Sequence, residues 1–292
     1  MCAVLRPSGR WPGGQALSQP LLRELEDLAV SAARAAGRFI VEERPRDLGV
    51  ALTKSSINDI VTVMDQQSEA LLRSHLLGAR PDDAILGEED GASEGTSGIT
   101  WVIDPIDGTV NYLYGIPAYG VSVAAVVGDA GTSGRWQPVA GAVCNPVTAE
   151  TFHARVGGGA HVLRADDEPK IQVNAVDVLL HSLVATGFGY LPEVRRRQSE
   201  VLAAILPEIR DIRRAGSAAL DLCAVACGRV DAYYESGLNP WDLAAGWIIA
   251  TEAGALVTGL HDMAPGEAAV VAAGPGILES LLARLEALAP LR

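Results

Sequence analysis

Between Ala84 and Leu163 the chain carries six short apolar runs, each closed by turn residues: Ala84–Leu86, Thr100–Ile103, Val121–Val127, Val139–Val143, Thr151–Val156 and His161–Leu163. Runs of this length bounded by Gly, Pro, Asn and Asp read as strands, so this stretch must build a sheet. Two helical patterns precede it. Ser18 and Pro20 give a start signal for a helix with apolar positions at Leu21, Leu22, Leu25, Leu28, Ala32 and Ile40, and a second helix is expected over about Val63–Leu77. After about Ala175 the pattern changes. Expected strands at His181–Thr186, Ile209–Arg213, Ala232–Glu235, Leu256–Thr258 and Ala269–Ala272 alternate with helices near Val194–Leu206, Ser217–Cys227 and Pro240–Ala253, and a last helix over Ile277–Leu288. This predicts a layered α/β (α+β) fold, with an antiparallel sheet half and a mixed α/β half. Residues 18–292 read as a single domain with subdomains of about 18–175 and 176–292, since no linker of disordered composition and no internal repeat divides them. Residues 1–17, with Pro7, Pro12 and the pair Gly13-Gly14, read as a flexible N-terminal tail.

With 292 residues, 49% of them hydrophobic, the chain can bury a core without disulfides or metal. Lys and Arg number 23 against 36 Asp and Glu, a formal net charge of −13, which repels polyphosphate and argues against a nucleic-acid partner. The same field repels a small anionic substrate unless bound cations reverse its sign locally. Four cysteines, Cys2, Cys144, Cys223 and Cys227, are too sparse for a secreted disulfide framework, and no Asn-x-Ser/Thr sequon occurs, so a cytoplasmic location is expected. Gly108 to Gly128 has membrane-spanning length, but Asn111, Gly115, Pro117 and Ser122 interrupt it and its second half alternates as a strand does. No membrane association is expected.

The chemistry concentrates at three places. In Trp101-Val-Ile-Asp104-Pro105-Ile106-Asp107-Gly108-Thr109 an apolar strand feeds two carboxylates, a glycine and a hydroxyl. Pro105 helps turn the chain so that both acids and a backbone carbonyl face one point, and Gly108 lets backbone N–H groups approach an anion. Ile85-Leu86-Gly87-Glu88-Glu89-Asp90-Gly91 ends another apolar run in an acidic cluster, and Asn239-Pro240-Trp241-Asp242 opens an apolar helix. Hard oxygen donors from several element ends, with no thiolate or imidazole cluster beside them, suit Mg²⁺. Singly, each has a plainer explanation: Asn239 as a helix N-cap with Asp242 favouring the helix dipole, Glu88 to Asp90 as a solvated turn, Asp104 to Gly108 as an ordinary turn. Their combination favours a site.

Glu88-Glu89, Asp104-Pro-Ile-Asp107-Gly-Thr109 and Trp241-Asp242-Leu-Ala-Ala-Gly, followed by Glu252-Ala-Gly254, resemble the signature blocks of the inositol monophosphatase family. Lys54 to Asp65, Gly216-Ser217-Ala218-Ala219 and Asp231-Ala-Tyr-Tyr-Glu235 resemble further family segments, in order, from about Leu22 to the C-terminus. The resemblance implies an αβαβα sandwich and a Mg²⁺-dependent phosphomonoesterase, with two or three Mg²⁺ per site, acting on inositol 1-phosphate and related polyol or sugar monophosphates through a metal-activated water. It implies that Glu88, Asp104, Asp107, Asp242 and the Ile106 carbonyl are metal ligands, that Gly108 and Thr109 amides cradle phosphate, and that Thr109, Asp65 and Glu88 are catalytic. Ala218 and Glu235, with Asp107 and Asp242, correspond to substrate contacts. Inhibition by Li⁺ and a homodimer are implied on the same ground. Electrostatics agrees: two carboxylates about 4 Å apart repel by roughly 4 kcal/mol at an effective dielectric near 20, so converging acids need cations.

Other readings are weaker. Gly91-Ala-Ser93-Glu-Gly95 matches the serine-hydrolase elbow but sits in a Gly/Ser-rich loop. Asp104 and Asp107 are one residue further apart than an aspartyl-phosphate Asp-x-Asp pair, and no Gly-Lys pair supplies a P-loop. Cys223 and Cys227 read as small core residues, Gly157-Gly-Gly159 as a turn, and Lys54 as either a surface residue or a brace for a loop near the metals. Alternative functions are a phosphatase for histidinol phosphate or a 3'-phosphonucleotide, and a non-catalytic regulatory binding protein on the same fold.

Overall fold

The computed structural model describes residues 17–46, 48–50, 52–53 and 60–288. The expectations for Met1 to Gly14 and for Lys54 to Asp59 lie outside the described residues. Helix α1 (Gln19–Glu42) starts where the sequence signals it, with Ser18 Oγ accepting from the Leu21 amide at 3.4 Å and Pro20 in the first turn. A short antiparallel pair, β1 (Leu52–Thr53) and β2 (Ile60–Val61), leads into α2 (Val63–Ala79).

Strands β3 (Ala84–Gly87), β4 (Gly91–Ser93) and β5 (Ile99–Asp107) are followed by the one-and-a-half-turn helix α3 (Thr109–Tyr114). Then come β6 (Gly120–Gly128), β7 (Trp136–Asn145), β8 (Glu150–Arg155), β9 (Gly159–Leu163) and β10 (Lys170–Ile171). They form an eight-stranded sheet in the order β10-β9-β8-β7-β6-β5-β3-β4, antiparallel throughout except for the β3/β5 pair. The second half contributes β11 (Leu183–Thr186), α4 (Pro192–Ile205), β12 (Asp211–Arg213), α5 (Ala218–Ala226), β13 (Ala232–Glu235), α6 (Pro240–Glu252), β14 (Leu256–Thr258), β15 (Val270–Ala273) and α7 (Leu278–Ala287). Its five strands run β12-β11-β13-β15-β14, parallel from β12 to β13 and antiparallel around β15.

Side-chain alternation along the strands distributes the apolar residues among three cores. Trp101, Ile103, Val121, Val123 and Ala125 pack with α1 and α2 on one face of the large sheet. Their neighbours Val102, Ala124 and Val126 face the opposite way, into a core shared with α5, α6 and the inner residues Ala185, Tyr233 and Ala272 of the small sheet. The outer residues Val184, Ala232, Tyr234 and Val271 meet Val201 of α4 and Leu281 and Leu285 of α7. The layers are therefore αβαβα. Helix α6 is buried from Leu243 to Ala250 because it lies between two sheets, which explains why it is apolar nearly all round.

The expected strands and helices appear with shifted ends. Helix α3, the β1/β2 pair, β4 and β10 were not anticipated; all are short, and β4 is a glycine- and serine-containing edge strand. The expected strand His181–Thr186 begins only at Leu183, because Leu179–His181 forms a single 3₁₀ turn closed by Ser182 Oγ donating to the Leu179 carbonyl at 2.6 Å. Among the described residues no helix is long and apolar enough to cross a membrane.

Candidate active site

Strict alternation would place Asp104 and Asp107 on opposite faces of β5. The β5/β6 register changes between them, from Asp104 opposite Ser122 to Asp107 opposite Gly120, so one extra residue is accommodated and both acids reach the same end of the sheet. Asp104 Oδ1 accepts from the Ile106 amide at 2.9 Å, and Pro105 between them has no donor to satisfy. Gly108 then turns with φ 92°, and a Cβ there would lie 2.9 Å from the Ala118 carbonyl oxygen, so only glycine fits.

One helix start holds Asp107, and another supplies Asp242. Asp107 Oδ2 accepts from Ser217 Oγ at 2.6 Å and from the Ala219 amide at 2.7 Å, at the N-terminus of α5. Asp242, in the first turn of α6, accepts from the Asn239 amide at 2.6 Å, and Ser122 Oγ of β6 donates to the Trp241 carbonyl at 3.2 Å. The helix-capping explanation for Asp242 is thus realised, and the same residue also joins the cluster. Asp104, Asp107 and Asp242 each present an oxygen within 4.8 Å of the other two. Burial, followed by the charges of neighbouring carboxylates including Glu88, pushes Asp104 and Asp242 well above the usual carboxylate range. Burial raises Asp107 to about 6 against its hydrogen bonds from Ser217 and Ala219. Among the described residues none of the three makes an ion pair, so buried hard-oxygen donors converge with no protein cation to neutralise them. That donor set fits a divalent metal such as Mg²⁺.

Glu88 follows β3, partly buried, and its charge acts on Asp104 and Asp242, although it lies outside the group of three that meets at 4.8 Å. Its loop is held by Glu69 of α2, a fully buried residue that sequence reasoning missed. Glu69 accepts from the Glu89 amide at 2.8 Å and the Asp90 amide at 2.9 Å and pairs with Arg73 at 2.8 Å, while Arg73 also donates to the Gly91 carbonyl. A Cβ on Gly87 would fall 2.3 Å from Glu69 Oε1. The available signal was a carboxylate on the buried helix face of Leu72 and Leu76 with an arginine four residues on.

Asp65, the third residue of α2, accepts from the Thr62 amide at 2.7 Å and Thr62 Oγ1 at 2.6 Å. Burial pushes its carboxyl up to about 6, opposed by those bonds. Thr109 is not the N-cap of the following helix: Gly108 holds that position, and Thr109 Oγ1 lies 3.1 Å from Asp65 Oδ1 and 3.0 Å from the Ile106 carbonyl. The hydroxyl has one proton for two acceptors.

Glu235 ends β13 and accepts from Tyr233 Oη at 2.6 Å. Burial raises it to about 7, against the attraction of Arg214. Gly187 faces it so closely that any Cβ there would overlap its carboxylate. Ala218 is the first residue of α5, one position past Ser217. Asp221, one turn further along α5, is raised to about 8 by burial and then by the charges of Glu235 and Asp107; the sequence reading assigned it nothing. Gly108 and Gly216 open onto a cavity of about 520 Å³ walled by Phe188, Tyr190 and Arg214.

The inositol monophosphatase family model matches residues 21–289. The inositol-1-monophosphatase of Mycobacterium bovis is 46% identical over 272 residues, covering 89% of this chain and 91% of that protein. The Nus factor SuhB of Vibrio cholerae is 39% identical over 237 residues, covering 80% and 84%. Among solved structures, Mycobacterium tuberculosis SuhB superposes with a TM-score of 0.78 at 44% identity, covering 92% of this chain and 98% of that one. Fold, sequence blocks and acid cluster agree, and the chain belongs to the inositol monophosphatase family of phosphatases.

Proposed function

We propose that this protein is a Mg²⁺-dependent phosphomonoesterase for inositol 1-phosphate and related polyol or sugar monophosphates, built on one domain spanning residues 18–292. The observation that carries the proposal is the meeting of Asp104, Asp107 and Asp242 within 4.8 Å, none of them in an ion pair among the described residues. Those three acids, Glu88 and the Ile106 carbonyl would hold two or three Mg²⁺. When bound, the metals supply charge neutralisation, a field attractive to a phosphate dianion in a protein of net charge −13, and acidification of water.

The amides of Gly108 and Thr109 hold the phosphate. Thr109 Oγ1 accepts a proton from the attacking water as it passes its own to Asp65, whose raised pKa of about 6 leaves it ionised at neutral pH yet ready to accept. Giving the Ile106 carbonyl to a cation leaves Asp65 as the acceptor for the Thr109 proton. Water oxygen bonds to phosphorus as the ester P–O bond breaks; the leaving alkoxide takes a proton from solvent water, Asp65 gives its proton back to solvent, and no residue becomes covalently attached. Glu235, oriented by Tyr233, accepts hydrogen bonds from substrate hydroxyls, and Ala218 contacts the same part of the substrate. Sensitivity to Li⁺, a homodimer and a cytoplasmic location complete the proposal; sedimentation as a monomer would contradict the second.

The test is phosphate release from inositol 1-phosphate with Mg²⁺, expected to vanish in excess chelator; full activity in chelator would overturn the proposal. Glu235→Gln should lower kcat/KM for inositol 1-phosphate by about tenfold to a hundredfold, as for a charge-assisted hydrogen bond of about 1.5–3 kcal/mol. Turnover of p-nitrophenyl phosphate, which offers no hydroxyls, should hardly change. The name of the Vibrio cholerae relative favours a second reading, a regulatory binding role on the same fold. A protein with no phosphatase activity towards any phosphomonoester would support it.

A further inference from the structure

The cavity beside Gly108 and Gly216 differs in charge from the rest of the molecule. Although the chain carries −13, the described residues lining this cavity include Arg195 and Arg214 and no carboxylate. Several arginines elsewhere are held in ion pairs, as Arg73 is by Glu69, Arg80 by Asp83 and Arg155 by Glu26. Arg195 and Arg214 have no such pair among the described residues. Arg214 lies with its guanidinium 6.0 Å from the centre of the Phe188 ring. Arg214 lines the cavity together with Gly108, which follows Asp107, and with Gly216, where any Cβ would run into its guanidinium. The wall beneath Arg214 is held in place: Gln198 of α4 accepts from the Gly189 amide at 2.9 Å and donates to Ser236 Oγ at 3.2 Å, fixing the segment that carries Phe188 and Tyr190.

A neutral polyol offers these two guanidiniums only ordinary hydrogen bonds to hydroxyl oxygens, weaker than the charge-assisted bonds an anion accepts. A guanidinium presents a planar fork of donors matched to carboxylate or phosphate. We propose that Arg195 and Arg214 form an anion subsite for the leaving group, so that the preferred phosphomonoesters carry a second negative charge on the alcohol being released. The proposal rests on the phosphatase reading above and names the substrate class for that same site.

The test compares α-D-glucose 1-phosphate with α-D-glucuronic acid 1-phosphate, which differ only in a hydroxymethyl group against a carboxylate, under Mg²⁺ at neutral pH. The protein should favour the uronic acid by about tenfold or more in kcat/KM, mainly through KM, because the second anion stays bound throughout the reaction. Added salt should erode the preference. Where turnover is slow, competitive inhibition of inositol 1-phosphate hydrolysis reads the same ratio. Arg195→Gln and Arg214→Gln, exposed positions whose replacement leaves the core intact, should each reduce the ratio to within about threefold of unity. Hydrolysis of both sugar phosphates with no preference would overturn the subsite and leave the phosphatase standing. Equal losses on both substrates in the variants would assign the arginines to the transferred phosphate and also overturn it. Failure to hydrolyse any phosphomonoester would sink the phosphatase reading and the subsite with it.

Discussion

Buried carboxylates occur in two settings in this molecule. On the α1 side of the large sheet, Glu26 lies 2.9 Å from His153 Nδ1 and also pairs with Arg155; at the start of β8, Glu150 meets Arg229 at 2.5 Å and Arg164 at 3.2 Å. Burial alone would raise both acids, but these partners overcome it and hold them below the usual carboxylate range. At the end of β5 the opposite holds: Asp104, Asp107 and Asp242 face one another, and burial pushes all three up, joined at Asp104 and Asp242 by the charges of neighbouring acids. The first kind of acid is satisfied by the chain and serves the fold. The second is left for something outside the chain to satisfy, and that is the physical signature of a cation site.

Removing one acid of each kind should separate them. Asp104→Asn keeps an oxygen for the Ile106 amide but loses a metal ligand, so phosphate release should fall by about three orders of magnitude, several kcal/mol of lost charge stabilisation. The metal-free variant should melt no lower than the parent, because a repulsive charge is gone; a large drop in Tm would show Asp104 to be structural. Glu26→Gln should do the reverse, destabilising the protein by about 3 kcal/mol in denaturant titration through a broken buried pair while kcat is retained. Lost activity in a fully folded Glu26→Gln protein would break the comparison. Thr109→Ala removes a hydroxyl that caps no helix, so kcat should fall by about a hundredfold with Tm nearly unchanged. A stability loss with normal turnover would return Thr109 to a structural role.

Much of this was legible in the sequence because it is local. The strand into Asp104-Pro-Ile-Asp107-Gly-Thr109, the turn at Gly157–Gly159 and the starts of α1 and α6 depend on neighbouring residues, and the structure realises each. The unseen parts are contacts across long separations. Asp107 is held by Ser217, 110 residues away, and Glu26 by Arg155, 129 residues away. The register shift that turns Asp104 and Asp107 to one end depends on the β6 partner strand, which composition does not encode. Glu69 is another such contact: the loop after Glu88, some twenty residues on, hangs from its carboxylate. Likewise, that α5 and α6 sit between two sheets follows from three-layer packing, not from either helix alone.

The central claim, that the acids at the end of β5 are held against their own repulsion until cations arrive, is tested most directly by Tm against pH with and without Mg²⁺. Asp65 and Asp107 titrate near 6 in the folded protein against a reference of 3.8, and Asp104 and Asp242 shift in the same direction. The folded state therefore binds more protons than the unfolded one between those values, and the stability these groups contribute is present below about pH 4 and lost as pH rises through 6. Glu26 and Glu150 have the opposite sign, but their losses fall below their reference value of 4.5, outside the window. In chelator, Tm should fall by several degrees from pH 5 to pH 7, and Mg²⁺ should restore it much more at pH 7 than at pH 5. A chelated protein whose Tm is level or rises across that range, with no greater gain from Mg²⁺ at pH 7 than at pH 5, would contradict the account.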